Sequence, residues 1–190
     1  DLMKSSENPT VAPYIGGGEV RLRVSARAEN AKKAQELIAP VVEKIRKTLG
    51  NAVYGVDAPS LESVLVEKLK AAHKTVAFAE SCTGGLIAKR ITDVSGASEI
   101  FGFGFVTYAN EAKMKLLGVS PETLEKHGAV SPETAREMAL GAKRVSGADI
   151  AVSVTGIAGP TGGTPEKPVG LVYMGVAFEG GVETCKLMLG

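Results

Sequence analysis

The spacing of apolar and polar positions changes period several times along the chain, and each change marks an element. Glu19-Val20-Arg21-Leu22-Arg23-Val24-Ser25 alternates charged and apolar residues, the period-two pattern of a half-buried strand. Asn8-Pro9-Thr10-Val11-Ala12-Pro13-Tyr14 before it is extended, because two prolines fix φ and restrict the residues ahead of them. Gly16-Gly17-Gly18 allows a turn between the two. Ala34, Leu37, Ile38, Val41, Val42, Ile45 and Leu49 then recur at helical spacing. Pro40 interrupts that spacing; it either kinks one helix or opens a second. Gly50 suits a helix end, and Ala52–Val56 reads as a second strand. Residues 1–58 are thus expected to form a small α+β unit, of a size that is marginal alone.

Asp57-Ala58-Pro59-Ser60 marks a boundary, and residues 59–190 read as a second unit. Ser60 can cap a helix whose apolar face is Leu61, Val64, Leu65, Leu69 and Ala72. Thr75–Ala79 is a short buried strand, and Leu86 begins a helix that runs to Val94. Phe101–Tyr108 is a strand with aromatics on one face, and Asn110 caps a short helix ending at Leu117. Ser-Pro-Glu-Thr occurs at 120 and again at 131, each a helix start with serine as cap and proline at the first position. The second of these helices turns Ala135, Met138, Ala139, Ala142 and Val145 inward. Ile150–Val154 is a buried strand, and Val169–Phe178 and Val182–Leu189 are two more, joined by Glu179-Gly180-Gly181. Strands alternating with helices predict the α/β class, a layered α/β sandwich.

Composition narrows the setting. The chain lacks an apolar run long enough to span a bilayer, and its first residues lack the apolar stretch of a secretory signal. No membrane partner is expected. Two cysteines, Cys82 and Cys185, make neither a disulfide framework nor a zinc site, so the expected setting is the reducing cytoplasm. The net charge is +1 with both signs interspersed, which gives nucleic acid no electrostatic footprint. Two histidines, His73 and His127, leave little room for an imidazole metal site or a Ser-His-Asp triad.

Chemistry concentrates in three places. Ala79-Glu80-Ser81-Cys82-Thr83-Gly84-Gly85 joins a buried strand to a helix. Such a turn can cradle an anion on helix amides or present a nucleophile. Ser81 is either a helix cap or that nucleophile, with the Cys82 and Thr83 amides placed to stabilise an oxyanion. Cys82 is the rival: a thiol at a helix start has a lowered pKa, but no base marks itself nearby, and a small buried filler is the plainer role. Thr155–Gly163 is a second loop leaving a buried strand, rich enough in glycine for backbone to approach a ligand. It is either a surface loop or one wall of a crevice at the ends of α/β strands. Lys113 is the third place. A helical lysine is ordinarily a solvated charge, but this one lies in the first turn, where the helix dipole opposes a cation. Burial would lower its pKa further, and a neutral lysine can act as general base toward a serine. His127 reads as a helix-end residue facing the last carbonyls.

Several longer motifs stand in a fixed order. They are Asn8–Tyr14, Ala79–Gly85, Gly104-Phe-Val-Thr-Tyr-Ala-Asn-Glu-Ala-Lys113, His127-Gly-Ala-Val-Ser131, Thr155–Gly163 and Lys167-Pro-Val-Gly170. Together they closely resemble the competence/damage-inducible CinA family, across essentially the whole chain. The resemblance implies a KH-like fold for residues 1–58 and the family's C-terminal domain for 59–190. The KH name does not bring RNA binding with it, because no GXXG loop lies within residues 30–50; packing or dimerisation is the expected role of this unit, and a homo-oligomer the expected state. The resemblance further implies a nicotinamide-nucleotide amidohydrolase, converting nicotinamide mononucleotide (NMN) and water to nicotinate mononucleotide and ammonia in pyridine-nucleotide recycling. Ser81 falls on that family's serine and Lys113 on its lysine, with Tyr108 orienting Lys113 or touching substrate. Substrate contacts are expected from Glu80, Cys82, Thr83, Gly84, Gly85 and Asn110, and from Thr155, Gly156, Ile157, Ala158, Gly159, Gly162 and Gly163. No metal or cofactor is required. Family members often carry a preceding molybdopterin-binding-like domain and continue into an arginine-bearing segment and final helix, so the chain is expected to be a fragment. The alternatives are a non-catalytic nucleotide-binding module, a protein serving DNA uptake or repair, and a hydrolase using Cys82.

Overall fold

The computed structural model describes residues 7–189, and the chain divides into two compact units, residues 1–57 and 58–190. In the first unit β1 (Thr10–Gly16) pairs antiparallel with β2 (Glu19–Ser25). Gly17 and Gly18 both have φ in the left-handed region, +61° and +79°, as a two-residue hairpin turn requires. One helix follows, α1 (Ala31–Leu49), capped by the Asn30 side chain and carrying Pro40 inside it. None of its residues is fully buried. The expected strand at Ala52–Val56 is absent: Gly50–Ala52 is a single 3-10 turn, and residues 53–57 pair with no strand. Tyr54 instead donates its hydroxyl to the Glu19 carboxylate at 2.6 Å.

The second unit is a five-stranded sheet in the order β4-β3-β5-β6-β7. Its elements are α2 (Leu61–Ala71), β3 (Val76–Glu80), α3 (Leu86–Thr92), β4 (Phe101–Val106), α4 (Asn110–Leu117), α5 (Pro121–His127), α6 (Pro132–Ser146), β5 (Ile150–Gly156), β6 (Leu171–Phe178) and β7 (Gly181–Met188). Strand β3 lies between β4 and β5, parallel to both, while β5, β6 and β7 are antiparallel in turn. At the start of β3 and β5, Asp149 accepts from Lys74 Nζ, the Thr75 amide and the Thr75 hydroxyl, each at 2.9 Å. Those bonds hold its carboxyl well below the usual carboxylate range.

The sheet is covered on both faces. Val76 and Phe78 of β3 pack with Val66 and Leu69 of α2 and Ile91 of α3. Ala77 and Ala79 turn the other way, onto Leu117 of α4 and Met138 and Ala142 of α6. The buried stripe of α2 is centred on Val66, which is fully buried, whereas Leu61 and Leu65 are exposed. Small residues let α6 sit close. Ser153 donates to the Ala135 carbonyl at 2.5 Å, and a Cβ at Gly141 would fall on the Leu117 carbonyl of α4. That contact fixes the height of α4, and α4 carries Lys113.

Candidate active site

Alternation along β3 decides what its last residues do. Successive side chains of a strand point to opposite faces, so Glu80 continues the Val76–Phe78 face and Ser81 continues the Ala77–Ala79 face. On its side Glu80, 1% exposed, meets the start of α3. Its carboxylate accepts from the amides of Gly85 (3.0 Å), Ile87 (3.0 Å) and Ala88 (2.8 Å). The residue at the N-cap, Gly85, has φ +100° and no side chain to offer, so the helix-end amides take a carboxylate from the strand instead. Of the two readings of Ser81, the cap of α3 falls away, since Gly85 holds that position. The expected substrate contact of Glu80 is corrected: its carboxylate is committed to the helix.

Ser81 is 7% exposed. Its amide donates to the Val154 carbonyl of β5 at 2.9 Å, and its carbonyl accepts from Gly84 at 3.1 Å. Its Oγ lies 3.1 Å from Lys113 Nζ. Lys113 is 1% exposed, an extreme position for a lysine. It shares a face of α4 with Leu117, four residues on. Its Nζ donates to the carbonyls of Thr107 at 2.8 Å and Tyr108 at 3.0 Å. No carboxylate is paired with it among the described residues, and burial pushes its amine below the ordinary lysine range. When unprotonated, the amine has two hydrogens, which the two carbonyls can take. In that form the lone pair faces the Ser81 hydroxyl, 3.1 Å away, the arrangement a general base needs.

Cys82, beside them, is half-buried, and burial raises its thiol pKa, with the Cys82 and Thr83 amides and Lys113 pulling it partly back. A raised pKa argues against the thiolate nucleophile that its place near a helix start had offered. The turn amides also divide. Gly84 and Gly85 are spent on Ser81 and Glu80, so they cannot hold an oxyanion. The amides of Cys82 and Thr83 donate to no carbonyl or carboxylate among the described residues; they face the Cys82 sulfur and are the turn amides not spent on Ser81 or Glu80.

Other expected positions fall differently. Tyr108 contributes its carbonyl, while the residue is 76% exposed and its phenol makes no hydrogen bond to Lys113. Asn110 is exposed at the first position of α4, and Ala109 is the cap. Thr155 is buried at the end of β5, but its hydroxyl donates to the Ala129 carbonyl at 2.7 Å, so its proton is not available to an oxyanion. Gly156 ends β5 against Leu171 and Val172, where a Cβ would lie 2.7 Å from the Leu171 carbonyl. Ile157 donates its amide to that same carbonyl. Ala158, Gly162 and Gly163 are exposed and Gly159 half-buried on the loop beyond. Lys167, part of the Lys167-Pro-Val-Gly170 motif but given no role by it, ties this loop down by donating to the carbonyls of His127 (2.7 Å) and Val130 (2.8 Å). Among the described residues no three His, Cys, Asp or Glu side chains gather as metal ligands. No helix among them is long and apolar enough to cross a membrane.

The pair therefore sits at the carboxyl ends of three parallel strands, on the middle one, β3, from which the chain runs to β4 on one side and then crosses back from β4 to β5 on the other. This is the switch-point crevice where open α/β sheets bind ligands. Fold and site together define an α/β sandwich domain carrying a buried serine–lysine pair. The family described as CinA C-terminal domain matches residues 58–190, and the damage-inducible protein CinA KH domain matches residues 1–55. The chain belongs to the CinA family. It is 53% identical over 190 residues to a CinA-like protein of Kosmotoga olearia, covering all of this chain and 46% of that protein. To a CinA-like protein of Desulfovibrio desulfuricans it is 56% identical over 175 residues, 92% of this chain and 41% of that one. The chain thus spans less than half the length of these curated relatives. Among solved structures, the competence/damage inducible protein CihA of Agrobacterium tumefaciens matches with a TM-score of 0.67 and 47% identity, over 68% of this chain and 79% of that one. The Escherichia coli CinA superfamily protein matches with a TM-score of 0.67 and 34% identity, over 75% and 86%.

Proposed function

We propose that the second unit is an amidohydrolase that cleaves the carboxamide of nicotinamide mononucleotide, releasing ammonia and nicotinate mononucleotide by a serine–lysine mechanism. One observation carries this reading: a lysine 1% exposed, unpaired with any carboxylate among the described residues, has its amine 3.1 Å from a buried serine hydroxyl. A structural lysine in such a place would be expected to carry a counter-charge.

In the reaction Lys113 takes the Ser81 proton as Oγ attacks the carboxamide carbon. The Cys82 and Thr83 amides receive the oxyanion. The C–N bond then breaks, and Lys113 returns the proton to the departing nitrogen, which leaves as ammonia. Water repeats the sequence on the acyl-enzyme: its proton goes to Lys113, its oxygen bonds to the acyl carbon, and Ser81 leaves reprotonated. The nucleotide portion lies against the Gly156–Gly163 loop, whose backbone suits phosphate or ribose.

The test is ammonia release from NMN by the parent protein, Ser81→Ala and Lys113→Ala. The reading expects turnover in the parent and a loss on the order of 10³-fold or more in each variant, as for residues acting as a unit. NMN binding without ammonia from the parent would replace the enzyme with a nucleotide-binding module.

A further inference from the structure

Thr107 occupies a place beside the serine–lysine pair that the mechanism above does not use. Strand alternation sets its direction. Phe105 pairs with Ala79 and packs in the same core layer, and Thr107 follows Phe105 by two residues. The ladder continues through it, since its amide donates to the Glu80 carbonyl at 2.8 Å. Thr107 and Ser81 are the residues that follow the ends of β4 and β3, and Thr155 is the next-to-last residue of β5; continued by one step, the register places the three hydroxyls in a row at one level, on the face that α4 and Lys113 cover. Adjacent strands lie about 4.8 Å apart, so the hydroxyls at either side of Ser81 are its immediate neighbours.

The two outer hydroxyls differ. That of Thr155 is bonded to Ala129. Thr107 is fully buried, its amide and carbonyl are both bonded, and its Oγ1 has no hydrogen-bond partner. Among the described residues the only other buried side-chain oxygen or nitrogen in that condition is Thr83 Oγ1, two residues beyond Ser81. A buried hydroxyl left unpaired is costly, and valine would fill the same space without that cost. Both such groups lie at the one site where a substrate would supply partners.

We propose that the Thr107 hydroxyl holds the nitrogen of the scissile carboxamide, and afterwards the hydrolytic water, beside Lys113. The inference rests on the amidohydrolase reading and deepens it. Thr107 Oγ1 accepts one N–H of the amide, which turns the nitrogen lone pair toward Lys113 Nζ as the tetrahedral intermediate collapses. Once ammonia has gone, the same oxygen accepts one O–H of the water, and Lys113 takes the other proton as the water oxygen bonds to the acyl carbon. Thr107 gains and loses no proton. It selects a leaving group bearing hydrogen, as a primary carboxamide does.

The experiment compares parent, Thr107→Val and Thr107→Ser for ammonia release from NMN, alongside a crystal structure of the ligand-free parent. The proposal expects kcat to fall about 10-fold or more in Thr107→Val with KM changed less than about threefold, and Thr107→Ser to recover most of the rate. It also expects an ordered water bonded to Thr107 Oγ1 and within reach of Lys113 Nζ or Ser81 Oγ. A Thr107→Val protein with the parent's kcat overturns it, and so does a rate lost equally in Thr107→Ser. If the parent releases no ammonia the amidohydrolase reading fails separately, and an empty, dry Thr107 hydroxyl in the crystal then overturns the subsite as well.

Discussion

The amine of Lys113 lies 3.1 Å from the hydroxyl of Ser81 and donates to the backbone carbonyls of Thr107 and Tyr108. Burial lowers the amine's pKa, and only the unprotonated form can take the serine proton. The log of kcat/KM for NMN should therefore climb with pH and level off once Lys113 is deprotonated, at a pH below the ordinary lysine value of about 10.4. A rate independent of pH across that range would remove Lys113 as the base.

The same shift bears on stability. The folded pKa lies below the unfolded one, so between the two the unfolded chain binds more protons, and stability rises with pH. Urea unfolding of the parent and Lys113→Met at pH 7 and pH 10 checks this. The difference between them should move in the parent's favour at the higher pH.

Glu80 is a structural residue one position from the nucleophile. Glu80→Gln keeps the shape but can offer one acceptor oxygen where two serve three amides, and it removes the charge from the α3 terminus. A loss of about 1–3 kcal/mol in urea unfolding is expected, together with lower activity as the Ser81 turn loosens. Full activity and stability in Glu80→Gln would mean the cap does not hold that turn.

Lys167 clips the glycine-rich loop to the His127–Val130 segment. In Lys167→Met the loop loses that clip while the serine–lysine pair stays in place. KM for NMN should rise about 10-fold and kcat change little. The reverse pattern in steady-state kinetics would place Lys167 in the chemistry.

Gly141 lies where a Cβ would fall on the Leu117 carbonyl. Gly141→Ala should destabilise by about 1–3 kcal/mol through overpacking. It should also lower ammonia release, because α4 carries Lys113 and must move. Thermal melting and turnover of the variant read both effects.

Much of this was readable from residue patterns, and the exceptions have physical causes. Alternation and caps located β2, β3 and the helices opened by Ser60, Ser120 and Ser131, because those signals are local; the stretch that forms β1 read only as extended, because its two prolines mask any alternation. Residues 52–56 resembled a strand, but a strand needs a partner and the hairpin offered none there. On α2, Val66 rather than Leu65 marks the buried face, since the sheet chooses among helical faces that sequence leaves nearly equal. Ser81 and Lys113 emerged as a pair mainly through the family resemblance; 32 residues separate them. Tyr108 was chosen for its phenol, yet its carbonyl is what reaches Lys113, a main-chain role no side chain announces. Glu80 was misassigned for want of parity: adjacent residues of a strand face opposite ways.

The most direct measurement is an acid quench of the protein during turnover of NMN, followed by intact mass and peptide mapping. The account predicts an adduct of NMN less ammonia on the peptide containing Ser81, retained in Cys82→Ala and missing from Ser81→Ala. Ammonia release undiminished in Ser81→Ala, or an adduct that maps to Cys82, would contradict it.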